Sequence, residues 1–299
     1  MSLKYIVLKK LFSIIGIKRS FQKSPEQLVE EARKQKIKIP KLHHKDIDVS
    51  IREIAGCTVL HFKHKQTTDQ LVYMIIGGGM LKYPQPMAIK KSLKLCIETH
   101  KDFMIPFYPL CVDHGVNYPI EKVYEIYKAI LQEYSAQNIT LCGSSSGGYL
   151  GLSLVSYINT LKEVEVFPRM FLSSPGGCFH TLKQQEMGKK LNTTDFLIDY
   201  QFMKNIEVVM KNGKEDLPDY IFDHSKGNYS NLKEVYLCYG DEEVLYAMCD
   251  EIKESLERDH VKVTLEIGKG LFHVYSFYPL VKESKQGWVN MSNFLKGEK

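Results

Sequence analysis

The chain has 299 residues, 44% of them hydrophobic and 25% charged, a composition that supports a large packed core and excludes disordered or collagen-like chains. Its 40 basic and 35 acidic residues leave a mild +5, and its apolar runs fall well short of the roughly 18 residues a spanning helix needs. Seven cysteines at irregular spacings, none forming CxxC, argue against a zinc cluster and a disulfide framework and point to reduced thiols in a cytoplasmic protein.

The charge is concentrated at the start. Residues 1–45 hold 12 Lys/Arg against 3 acids, so the remainder is slightly acidic. Residues 1–48 are expected to form an N-terminal arm. Its opening, Tyr5 to Phe21, mixes apolar and basic residues, and Lys9-Lys10 interrupt any secretory apolar core. A cationic helix of this kind could lie on an anionic membrane. The expected arrangement is instead a helix packed on the protein's own surface with its lysines in water. Nucleic acid is excluded as a partner, because the rest of the chain offers no basic face of comparable density.

Ser24-Pro25 reads as a helix start, with Ser as cap and Pro at the first position. Strands are expected at 49–54, 58–64 and 71–76, the last ending in Gly77-Gly78-Gly79. A helix over 86–99, a strand over 103–107, a helix over 120–134 and a strand over 138–142 follow. A helix then opens at Gly147, with further strands at 169–173, 234–238 and 261–267. The remaining helices are expected at 244–256 and from about Tyr275. Apolar strands alternating with amphipathic helices predict an α/β domain over 49–299, a mostly parallel sheet with helices on both faces. Residues 181–230 break the alternation as a polar, strand-poor insertion, the usual form of a lid or cap.

Ligands in such sheets bind beyond the carboxyl ends of the strands. There, strand 138–142 runs into Gly143-Ser144-Ser145-Ser146-Gly147-Gly148 and a helix, which is G-x-S-x-G in the strand–turn–helix setting of a nucleophile elbow. The tight turn lifts only its central residue, Ser145, above the sheet. The side chains of Ser144 and Ser146 are expected to lie outside the reacting path, so their alanine variants should keep activity, while the Ser146 N–H faces the reacting oxygen. Gly77-Gly78-Gly79 supplies a loop whose N–H groups can approach a substrate closely. Neither GxxxxGK[ST] nor GxGxxG is present, which excludes a phosphate-binding loop here. A metal site is not expected: His61 and His64 fall on opposite faces of a strand, and His43, His44 and His114 lack companions at ligand spacing. Cys178 is read as a buried, inert thiol, and Phe196, Tyr200 and Phe202 as core or cap packing.

With these motifs the sequence resembles the hormone-sensitive-lipase-like esterase branch of the α/β-hydrolase superfamily, over roughly residues 70–295. Residues 1–45 match that family's N-terminal cap helices. The family's HGGG loop reads Ile76-Gly77-Gly78-Gly79 here, and its G-D-S-A-G-G elbow reads Gly143 to Gly148. Its D-x-L acid corresponds to Glu243-Val-Leu245, and its histidine to His273 in Phe272-His273-Val-Tyr, giving the Ser…acid…His order of this fold. The resemblance implies an α/β-hydrolase fold with a helical cap. It also implies a cofactor-independent serine esterase acting on small-molecule esters, short acyl groups above all. Ser145 would be the nucleophile, His273 the base and Glu243 the orienting acid, with the N–H groups of Gly78, Gly79 and Ser146 as oxyanion hole. Asp241 and Glu242 follow the same strand and stay open as alternatives for the acid; Asp241 could instead cap the following helix. Ile76 replaces the family histidine that braces the glycine loop, so that loop must be held another way. A non-catalytic ligand-binding protein on the same fold, and an amidase or peptidase with the same triad, also remain open.

Overall fold

The computed structural model describes residues 2–298. One sheet holds the strands β1 (Ile47–Ile54), β2 (Cys57–His64), β3 (Leu71–Ile75), β4 (Asp102–Pro106), β5 (Ile139–Ser144), β6 (Arg169–Ser173), β7 (Glu234–Gly240) and β8 (Lys262–Gly268). Their order across the sheet is β1-β2-β4-β3-β5-β6-β7-β8. β2 pairs antiparallel with both β1 and β4, and the ladder from β4 through β8 is parallel. β3, β4 and β5 are buried along their whole length, as continuous apolar strands in a doubly covered parallel sheet should be.

Alternation divides the core between the two faces. Tyr73, Ile75 and Leu141 pack with helices α4 (Asn117–Ile130), α5 (Ser146–Leu161) and α8 (Cys249–Arg258) on one side. Val72, Met74 and Phe103 pack with α3 (Pro86–Thr99) and α9 (Lys285–Lys296) on the other. His61 and His64 accordingly lie on opposite faces, and His64 Nε2 sits 3.0 Å from the Cys96 carbonyl.

α3 begins at its proline, whose missing N–H costs nothing in a first turn. α4 starts at Asn117, earlier than Ile120, because Pro119 is tolerated within that first turn. The closing helix differs more. Tyr275–Phe277 is only a 3₁₀ turn, and α9 begins at Lys285. Pro279 disfavours helical backbone at Tyr278, which ends the turn. The expected helix over 244–256 is likewise divided, a 3₁₀ turn over Val244–Met248 preceding α8.

Outside the sheet lie α1 (Leu3–Ile15), α2 (Pro25–Arg33), α6 (Leu182–Leu191) and α7 (Tyr200–Lys211). α2 carries a capping box between Ser24 and Gln27, as its Ser-Pro start suggests. The arm and the insertion pack together: Phe12 stacks on Phe196 and Phe21 meets Phe202 edge-on. Gln22 donates to Asp199, and Asn205 to the Lys23 carbonyl. All seven cysteines are free and buried. No helix among the described residues is long and apolar enough to cross a membrane.

Candidate active site

The register aligns the carboxyl ends of the parallel strands: Ile75 is opposite Gly143, Ser144 opposite Ser173, and Gly240 opposite Gly268. Ser145, Glu243 and His273 all follow such ends. At the elbow Ser145 has φ 51° and ψ −129°, a strained backbone for a side-chain-bearing residue. It is stabilised by hydrogen bonds from the Ser145 N–H to the Ser173 carbonyl, 2.8 Å, and from the Gly148 N–H to the Ser145 carbonyl, 2.9 Å. Gly147 allows the approach of β3, since a Cβ there would sit 2.0 Å from the Ile75 carbonyl oxygen.

Ser145 Oγ lies 2.9 Å from His273 Nε2, and His273 Nδ1 is hydrogen-bonded to Glu243. With Nδ1–H donating to the carboxylate, Nε2 is left as acceptor for the serine hydroxyl. Glu243 is completely buried, so its charge must be satisfied locally. Its second oxygen accepts from the Ser174 hydroxyl at 2.7 Å and the Gly240 N–H at 2.8 Å.

The three neighbouring acids separate cleanly. Glu242 forms a 2.6 Å ion pair with Lys9 of α1. Asp241 accepts from the Gly270 N–H in the loop leading to His273. It therefore organises that loop and does not cap the helix after β7, which corrects the alternative given for it above.

The glycine loop brings a second correction. The Gly78 N–H donates to Ser146 Oγ at 3.1 Å, and the Met80 N–H to the same oxygen at 3.2 Å. The Gly77 N–H donates to Ser144 Oγ at 3.2 Å. Gly78 therefore has its donor turned to a side chain, and the N–H groups of Gly79 and Ser146 remain without protein partners among the described residues. Gly79 has φ 63°, and a Cβ on it would sit 2.7 Å from Phe202, so the position requires glycine on both counts. The hydroxyls beside Ser145 are thus the braces of a loop that has Ile76 where a histidine is expected. Tyr108 adds a bond to the Ile76 carbonyl at 2.9 Å. Losing one well-placed oxyanion donor costs about 10²–10³ in kcat, and losing a brace should cost less, about tenfold. Ser146→Ala, and to a similar degree Ser144→Ala, should lower kcat on a p-nitrophenyl ester with little change in melting temperature. Wild-type rates in both would mean the loop holds itself.

Two further residues escaped the sequence reading. Ser174, at φ 49°, donates to Glu243 and accepts from the Val274 N–H at 2.9 Å, so one hydroxyl links the acid to the histidine loop. Asp195, from the insertion, accepts from the N–H groups of Val244, Leu197 and Ile198 and fixes the turn after Glu243. Burial raises its pKa. Neither belongs to a recognisable motif, and only the fold brings them to the site.

Above Ser145 opens a cavity of about 460 Å³, lined mostly by apolar side chains. The arm contributes Leu8, Phe12 and Phe21, and the insertion contributes Ile198, Phe202 and Ile206. Phe202 is thus a wall of the cavity, whereas Phe196 packs against Tyr5 and Phe272, and Tyr200 against Phe179. Cys178 is off the lining, and burial pushes its thiol up to about 12, the inert state expected of it. Away from the cavity, His180 contacts Asp223 at 3.2 Å and Glu251 at 3.0 Å, a donor set compatible with a cation that spacing alone could not reveal. Its hydrogen bond to Glu251 raises the imidazole pKa, and the two contacts tie the insertion to α8, while His180 Nδ1 and Glu251 Oε1 are buried without a hydrogen-bond partner among the described residues.

A family model described as an alpha/beta hydrolase fold matches residues 72–277. The chain belongs to the α/β-hydrolase fold family. Its match runs from β3 to the 3₁₀ turn after His273 and so includes the glycine loop, the elbow, Glu243 and the histidine. Among solved structures, this α/β-hydrolase is similar to EstE5 in a crystal soaked with p-nitrophenyl butyrate, with a TM-score of 0.81 at 19% identity over 99% of both chains. It is similar also to an esterase/lipase from an uncultured bacterium, TM-score 0.79, 18% identity, 99% of both chains. An esterase of the bacterial hormone-sensitive lipase family matches with TM-score 0.75 and 16% identity, covering 92% of this chain and 97% of the other. At these identities the likeness speaks for the fold. No curated protein matches the sequence.

Proposed function

We propose that the chain is a carboxylic-ester hydrolase acting through an acyl-serine intermediate, with Ser145 as nucleophile, His273 as base and then acid, and Glu243 as orienting carboxylate. The observation that carries this reading is the hydrogen-bonded run from buried Glu243 through His273 to Ser145, opening on an apolar cavity. A pure binding protein has no use for that run. Ester substrates, in preference to amides, are favoured by solved structures named as esterases.

In the forward half-reaction, Ser145 Oγ attacks the carbonyl carbon as its proton passes to His273 Nε2. The negative oxygen of the tetrahedral intermediate is held by the N–H groups of Gly79 and Ser146, at about 3–4 kcal/mol per well-placed donor. Glu243 keeps the ring in the productive tautomer and stabilises the imidazolium. The imidazolium then returns its proton to the departing alcohol. Water repeats the sequence on the acyl-serine and releases the carboxylic acid. The reaction needs nothing beyond water, and no cofactor enters it.

The arm (residues 1–48) and the insertion (181–230) act together as the cap in this reading, since both contribute cavity walls. Their aromatic side chains close the apolar space around the acyl group and favour short chains. Rates on p-nitrophenyl acetate, butyrate, octanoate and laurate should peak at the short end, and a maximum at laurate would contradict a restrictive cap. Seven reduced thiols suit a cytoplasmic location.

A further inference from the structure

The N-terminal helix departs from its expected arrangement in one respect. Tyr5, Leu8 and Phe12 face inward, with Tyr5 buried and its hydroxyl donating to the Gly270 carbonyl at 2.7 Å. The outward side is apolar as well, where lysines were expected to meet water. Leu3 is 77% exposed, Val7 57%, Ile14 81% and Ile15 62%, with Ile6 and Leu11 also exposed. Of thirteen large apolar side chains exposed among the described residues, six lie on this one helix of 13 residues. Isolated exposed apolar residues are normal, but a contiguous stripe marks a surface that another phase or partner covers.

The charge pattern selects the occupant. Residues 2–25 include Lys4, Lys9, Lys10, Lys18, Arg19 and Lys23 and no acid. Lys9 is committed to Glu242, and Lys18 to carbonyls of the insertion, including that of Asp195 at 2.8 Å. Lys4, Lys10 and Arg19 remain exposed. At 100° per residue Lys10 falls between Ile6 and Leu3, and Lys4 between Leu11 and Ile15, so both lie within the exposed apolar face. Two copies meeting through this face would oppose these lysines with no acid of the segment to offset them. At an anionic bilayer the same lysines reach headgroup phosphates while the apolar side chains enter the acyl boundary.

We propose that α1 docks the protein on an anionic lipid surface through Leu3, Ile6, Val7, Leu11, Ile14 and Ile15, with Lys4 and Lys10 at the headgroups. Leu8 and Phe12 on its inner side line the cavity over Ser145, so the docked helix is the wall between the bilayer and that cavity. The docking surface stands independently of the hydrolytic reading.

The test is co-sedimentation of the full chain with vesicles of phosphatidylcholine containing phosphatidylglycerol, and with vesicles of phosphatidylcholine alone. Wild type should pellet with the anionic vesicles and be released by high salt. The double variants Val7→Glu/Ile14→Glu and Lys4→Glu/Lys10→Glu should each bind about tenfold or more weakly, the order expected for losing apolar insertion or the electrostatic contribution. Thermal melts at the wild-type temperature would show that both variants are folded, without reference to activity. Failure of wild type to pellet with the anionic vesicles overturns the proposal, as does undiminished pelleting of either variant. A wild type that is dimeric by analytical ultracentrifugation, and monomeric as Val7→Glu/Ile14→Glu, also overturns it by making a second copy the occupant.

Discussion

Ser145→Ala should abolish turnover of p-nitrophenyl butyrate, with kcat falling about 10⁶-fold, to the level left by the cavity and donors alone. The loss is chemical and not structural. The elbow is held by backbone bonds from Ser145 and Gly148 and by glycines that admit β3, none of which involves the hydroxyl. Melting temperature and circular dichroism should therefore match wild type. The flanking serines provide the control. The side-chain hydroxyls of Ser144 and Ser146 hold N–H groups of the glycine loop and touch no reacting atom, so their variants should lose only about tenfold in rate, far less than Ser145→Ala. A dead Ser144→Ala beside an active Ser145→Ala would reverse the elbow assignment.

Glu243→Gln should lower kcat about 10⁴-fold, by analogy with the Asp→Asn change in the worked serine-protease triad. The amide retains much of the shape. It removes the charge that stabilises the imidazolium and can present an NH₂ to Nδ1, which favours the wrong tautomer. Buried Glu243 also accepts from Ser174 and Gly240, so the change should reduce stability as well, by about 1–3 kcal/mol. Asp241→Asn separates the two candidate acids. Its carboxylate bonds the Gly270 N–H, and an amide oxygen can still accept that bond, so the variant should lose only a few-fold in rate. The opposite ranking in steady-state kinetics would transfer the orienting role to Asp241.

Where local chemistry determined the structure, the residues revealed it. Pro86 and the spacing of Ile89, Leu93 and Cys96 bound α3, and Arg169–Ser173 reads as a strand from its run of apolar side chains flanked by loops. The elbow was legible because a strand, a strained serine and close glycines must be consecutive. The function of Ser146 was not, because the N–H groups that its hydroxyl accepts from lie on the glycine loop, some 67 residues away in sequence, and no local pattern states that a hydroxyl replaces a missing histidine. Ser174 and Asp195 were hidden for the same reason: each meets Glu243 or its turn only after β6, β7 and the insertion have packed. α1 packs on the protein's own surface with Lys4 and Lys10 exposed, as expected; what the reading missed is that its outward face is also apolar. A helix apolar on both sides has little polar–apolar contrast around its axis, which conceals which side meets the protein.

The central claim is that Ser145 becomes covalently acylated, and labelling with a fluorophosphonate tests it most directly. Such a probe requires an activated serine and a working oxyanion hole, and phosphonylation leaves a mass adduct that can be located by peptide mapping. The account predicts stoichiometric modification of wild type on the peptide containing Ser145, none in Ser145→Ala, and slowed labelling in Glu243→Gln. An unlabelled wild type, or an adduct on any other serine, would contradict it.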